Sequence, residues 1–313
     1  MTAAIVIDRL TKRYQHTAAI TDLSLEVAAG SIVGFLGPNG AGKTTTLKIL
    51  AGLSRATSGS ASVNGVTVGA EGAHRTQIGY LAQEPRFYGW MSGRQTLRYV
   101  SGFFGAPDAG RIEEWLELVG LTDAADRPTA TYSGGMRQRL GIAQALAGDP
   151  SVLLLDEPAA ALDPLGRRDV LEIMQRLRGL KTIFYSTHIL DDVQRVSDHV
   201  AIVDRGRLVA SAATGDLMRA STTGTLHVAL LDASDDTRAA LAELPGVSHV
   251  AGPERRDAEW AYDLTIFDGQ AAAVQRAVTR LAGELGLTVT TNRQETLDLE
   301  DVFLRIVEKE RAA

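Results

Sequence analysis

Residues Gly37 to Thr45 read GPNGAGKTT, which matches G-x-x-x-x-G-K-[ST] and stands directly between an apolar segment, SIVGFL, and a helix-like one, GKTTTLKILAG. Glycines at 37, 40 and 42 let the backbone curl so that successive N–H groups point inward, and the following helix adds its N-terminal dipole. The loop Gly37, Pro38, Asn39, Gly40, Ala41, Gly42, Lys43, Thr44 and Thr45 is therefore expected to cradle phosphates. Lys43 supplies compensating charge and Thr44 a hydroxyl for Mg2+. Such a strand–loop–helix unit commits this part of the chain to an α/β fold.

A second segment, VLLLDEP at Val152 to Pro158, reads as a buried strand ending in two adjacent carboxylates, at the edge where parallel sheets bind ligands. Asp156 is expected to hold Mg2+, directly or through water, and Glu157 to polarise an attacking water. Alone, an acidic strand end has an ordinary explanation as a helix cap. Two more strands carry a polar group just past their ends: IGYLAQ delivers Gln83 and TIFYSTH delivers His188. A single such Gln or His is usually a loop or surface group, but four strands presenting Lys43, Gln83, Asp156, Glu157 and His188 in sequence point to one rim.

YSGGMRQRL, Tyr132 to Leu140, puts Ser133, Gly134 and Gly135 immediately before a helix. A helix cap explains Ser133, but two successive glycines leave bare backbone open to close approach, which makes a second N-terminal anion cradle.

In order and context these segments resemble the ATP-binding cassette family over about residues 3 to 219: the Walker A loop, Gln83, the signature YSGGM, the Walker B strand with Glu157, the loop ALD ending at Asp163, and the switch His188. The resemblance implies an ATPase in which two cassettes sandwich two ATP molecules, each between one protomer's P-loop and the other's signature. It implies that Tyr14 stacks on adenine, although by sequence Tyr14 could equally pack on a sheet. It implies that Gln83 lies beside the metal with Thr44 and Asp156, that Lys43 and His188 contact the phosphates, that Ser133 and Gly135 reach the partner's γ-phosphate, and that Asp163 lies at the dimer seam. A homodimer is expected, a heterodimer with a related ATPase remaining open, together with a separate transmembrane permease subunit that holds the chain on the cytoplasmic face of the membrane. Ala159-Ala160-Ala161 departs from the family, which often has Thr and small polar residues there. Tyr132 and Met136 replace a common Leu and Gln, a variant shared with the drug- and antibiotic-export branch. The closing segment TLDLEDVFLRIVEKE, Thr296 to Glu310, is similar to that branch as well, or is an ordinary amphipathic helix. A soluble cassette ATPase acting on ribosomes or nucleic acid is the alternative.

Composition narrows this further. A net charge of −6 leaves no basic footprint for nucleic acid, so none is expected as a partner. With no cysteine, disulfides, thiolate metal sites and thiol catalysis are excluded. The opening MTAAIVIDRLTKRY mixes charge into its apolar residues and does not read as a secretory signal, and apolar runs such as Val152–Leu155 fall far short of the ~20 residues of a spanning helix. Strand-like segments precede a helical insert at about 86–148, and the cassette is expected to end near 219. Residues 220–313 then alternate strand and helix as βαββαβ, a small ferredoxin-like α+β domain. The aromatic stretch EPRFYGW suggests that Phe87, Tyr88 and Trp90 dock the permease, or else pack the helical insert.

Overall fold

In the computed structural model, residues 2–296 are described apart from positions 16, 70, 106–108, 221, 257 and 268. The chain divides into two compact units at Gly215/Asp216, slightly ahead of the boundary suggested by the sequence. The segment similar to the export branch falls almost wholly on 297–313, outside the described residues.

The first unit opens with a hairpin, β1 (Ala3–Tyr14) and β2 (Thr17–Ala28), followed by β3 (Ile32–Leu36) and α1 (Lys43–Leu50). Next come β4 (Ser58–Val63), β5 (Val66–Thr67) and β6 (Ile78–Leu81), then the helical insert with α2 (Gly93–Ser101), α3 (Ala109–Leu118) and α4 (Gly134–Ala145). β7 (Val152–Asp156), α5 (Pro164–Leu177), β8 (Thr182–Thr187), α6 (Leu190–Val196), β9 (His199–Asp204) and β10 (Arg207–Ala213) complete it, and α7 (Thr214–Ala220) crosses into the second unit.

One antiparallel sheet has the order β2-β1-β4-β5; the other, β10-β9-β3-β8-β7-β6, is parallel except for β10. β3, β7 and β8 are buried along their whole length, which explains their unbroken apolar or β-branched sequences. Alternation still governs which core each side chain enters. Val152 and Leu154 join the cluster around α1 and the antiparallel sheet, while Leu153 and Leu155 join the cluster built from Leu97, Trp115, Leu140 and Met174. The hairpin strands run longer than their hydrophobic alternation suggests, because Arg9 and Asp22, both at positive φ, sit beside register shifts that interrupt the pattern. β9 and β10 are joined by Arg205-Gly206, both at positive φ as a tight hairpin requires, without the Asn-Gly pair that would have flagged it.

In the second unit β11 (Thr222–Leu231), α8 (Thr237–Ala242), β12 (Val247–Arg256), β13 (Glu259–Ile266), α9 (Ala271–Glu284) and β14 (Thr288–Thr296) form a β-α-β-β-α-β series. Its antiparallel sheet has the order β12-β13-β11-β14. Leu226, Val228 and Leu230 meet Leu241, Val274 and Val278 from the two helices in a core of its own. No helix among the described residues is long and apolar enough to cross a membrane.

Candidate active site

The parallel strands end at one edge, and each ends in a different chemistry. β3 leads into the glycine loop, where a Cβ at Gly37 would stand 2.3 Å from the Val203 carbonyl and one at Gly42, at φ +102°, 2.5 Å from the Ala19 carbonyl. Only glycine fits either place. Gly37 N–H donates to the Thr187 carbonyl at the end of β8, 3.3 Å away, so the loop is moored to the neighbouring strand. α1 has no side-chain cap and no acid in its first turn, leaving its positive end open to an anion.

Lys43 is buried and donates to the carbonyls of Gly37 (2.8 Å) and Pro38 (3.1 Å), with Glu157 Oε1 3.3 Å away. Glu157 Oε2 lies 2.7 Å from His188 Nδ1, so the carboxylate is held from both sides. Thr44 Oγ1 and Ser186 Oγ both donate to Asp156 Oδ1, at 3.0 and 2.7 Å. Burial and then the Asp156 charge push the pKa of Tyr80, on the neighbouring strand β6, up to about 12. A hydroxyl and a carboxylate this close suit a hard cation completed by water and phosphate oxygens.

Known proteins decide the family. Residues 20–160 match the family model described as ABC transporter. The chain is 38% identical over 304 residues to the ABC transporter ATP-binding protein YxlF of Bacillus subtilis, covering 96% of this chain and 98% of that one. It is 36% identical to the daunorubicin resistance ATP-binding protein DrrA3 of Streptomyces coeruleorubidus over 98% of this chain and 97% of that one. A solved ATP-binding subunit of an ABC transporter superposes with a TM-score of 0.62 at 30% identity, over 70% of this chain and 93% of that one. The chain belongs to the ABC transporter ATPase family. It is an ATP-binding, ATP-hydrolysing subunit of such a transporter.

The remaining residues singled out by sequence lie elsewhere on this cassette ATPase. Ser133 caps α4, accepting from Met136 N–H, with Gly134 beside it and Gly135 against Gly166 of α5. Asp163 caps α5 through Gly166 N–H at 2.7 Å. Tyr132 is buried and donates to the Ala124 carbonyl at 2.7 Å, so in this signature it anchors the loop to the helical insert. Tyr14 is 48% exposed, with Lys12 Nζ 4.7 Å from its ring centre, and so presents a ring face rather than packing into the sheet. Gln83 accepts at its backbone carbonyl from Gln138 Nε2 and lines a groove of about 560 Å3 with Phe87, Gly134, Ala160 and Leu162. Phe87 packs partly into the helical core, whereas Tyr88 and Trp90 are exposed and continue through Tyr99 to Phe103 as a chain of aromatic contacts.

Sequence reasoning missed Ser186 and the pair Arg167–Asp192, in which Arg167 Nε lies 2.6 Å from a buried Asp192. Burial raises the Asp192 pKa even against the pull of Arg167. A serine inside an apolar strand and an acid four residues past a histidine carry no periodic signal.

Proposed function

We propose that this chain hydrolyses ATP as one half of a dimer and drives export of amphipathic, antibiotic-like cargo through a separate transmembrane subunit. The observation that carries the hydrolytic assignment is Glu157, buried and held between Lys43 and His188 at the ends of three adjacent strands. In this reading Glu157 accepts a proton from the attacking water, while His188 orients Glu157 and reaches the γ-phosphate. Lys43 leaves the Gly37 and Pro38 carbonyls for the phosphates, and the N–H groups of Gly40, Ala41, Gly42 and Thr45 complete the cradle. Thr44 and Asp156, with Gln83 reaching in, would hold Mg2+, which supplies charge neutralisation at the phosphates.

One chain has one P-loop and one signature, so each nucleotide needs Ser133, Gly134 and Gly135 of a second cassette, with Asp163 at the seam and Tyr14 stacked on adenine. The exporter assignment follows the match to DrrA3 through both units, whose name records daunorubicin resistance. The exposed Tyr88 and Trp90 are the permease contact that would hold the chain at the cytoplasmic face of the membrane, and the second unit, described as far as Thr296, is an accessory ferredoxin-like domain.

The test compares wild type with Glu157→Gln. Turnover is expected to fall by a hundredfold or more, on the order of what a lost general base costs, while sedimentation finds an ATP-locked dimer. A mutant that stays monomeric at saturating ATP would remove the homodimer from this account.

A further inference from the structure

Ser186 occupies the next-to-last position of β8, fully buried and directly opposite Asp156 in the β7–β8 ladder. Its hydroxyl has one proton to give and lone pairs to receive. The proton goes to Asp156 Oδ1 at 2.7 Å, and the oxygen accepts the Glu157 N–H at 2.9 Å. Glu157 lies one residue past the last rung of that ladder and turns into the left-handed region at φ +48°, where a non-glycine residue persists only if its surroundings fix it.

We propose that Ser186 is a positioning residue for hydrolysis, one hydroxyl setting both the carboxylate that takes the metal and the backbone of the carboxylate that takes the water's proton. This rests on the roles given above to Asp156 and Glu157. Asp156 Oδ1 has a second donor in Thr44, but Thr44 belongs to the nucleotide loop and turns to the nucleotide's metal, whereas Ser186 is fixed within a buried strand. Without the Ser186 oxygen, the Glu157 N–H is left unsatisfied in a buried site, and the strained turn that aims Glu157 loses its tether.

The experiment compares wild type, Ser186→Ala and Ser186→Thr, with Glu157→Gln alongside. ATP affinity is measured in EDTA, Mn2+ affinity of the ATP complex by electron paramagnetic resonance, and turnover with saturating Mg-ATP. Ser186→Ala is expected to keep metal-free ATP affinity within about twofold while Mn2+ affinity and turnover each fall about tenfold or more, in the range for groups that orient metal ligands. Ser186→Thr, which keeps the hydroxyl, recovers most of both. Wild-type Mn2+ affinity and turnover in Ser186→Ala would overturn the proposal. So would a matching loss of metal-free ATP affinity in both variants, which marks a packing role. If Glu157→Gln itself retains turnover, the general-base reading fails instead, and the two failures are told apart.

Discussion

His74 is buried with neither ring nitrogen bonded to a partner, and burial, with the Arg75 charge second, lowers its pKa. The unfolded chain therefore binds this proton more readily than the folded one, so stability rises with pH up to about 6.5 and is lost as pH falls below it towards the lowered folded value. Urea unfolding between pH 7.5 and 5.5 should show this loss in wild type and a shallower one in His74→Leu. At Gly42, a Cβ would meet the Ala19 carbonyl at 2.5 Å with φ at +102°, so Gly42→Ala should abolish ATP binding, read by fluorescent-nucleotide titration, while the remainder of the sheet stays folded. The glycine was legible because its loop motif is local: spacing and flanks state the backbone conformation. His74 and Ser186 were not, because what makes them special is the neighbour that long-range folding brings to them.

Among the elements, α5 and α6 hold the loops on which the proposed dimer depends. Asp163 caps α5, and Asp163→Ala should cost about 1 kcal/mol of stability, measured by urea denaturation. Arg167, one turn further along α5, pairs with buried Asp192 in the first turn of α6, the helix that follows His188. Arg167→Ala leaves that carboxylate buried without its cation and should cost more, about 3 kcal/mol in the same assay; if the two substitutions cost the same, the pair is not the tie between these helices. Strand identity was clear where an apolar or β-branched run is unbroken, as in β7 and β8, and these two runs bracket the helix α5. Element identity was lost in α6, β9 and β10, which are too short to show a sustained period, and it was truncated in β1 and β2, where bulges shift the face that looks inward.

For the whole molecule, two units each carry a hydrophobic core of their own, and the proposed nucleotide site belongs to the first. Calorimetry should therefore resolve two unfolding transitions, and Mg-ATP at about 100 times its dissociation constant should add about 2.7 kcal/mol to only one of them. A single transition that shifts as one body would show the units to be energetically joined. The alternating order of the second unit was readable from turn residues and apolar spacing, while its edge with the first was not, since α7 carries helical sequence straight across Gly215/Asp216.

The parallel ladder that sets Ile32 beside Ile183 also orders events in time. A chain leaving the ribosome displays its whole glycine loop long before Asp156, Glu157 and His188 exist, and at ~5–20 residues per second the wait for His188 is roughly seven to thirty seconds. Until β8 emerges the loop also lacks the Thr187 carbonyl that moors Gly37, so the nascent chain carries the loop's sequence well before the anchored conformation seen in the finished sheet.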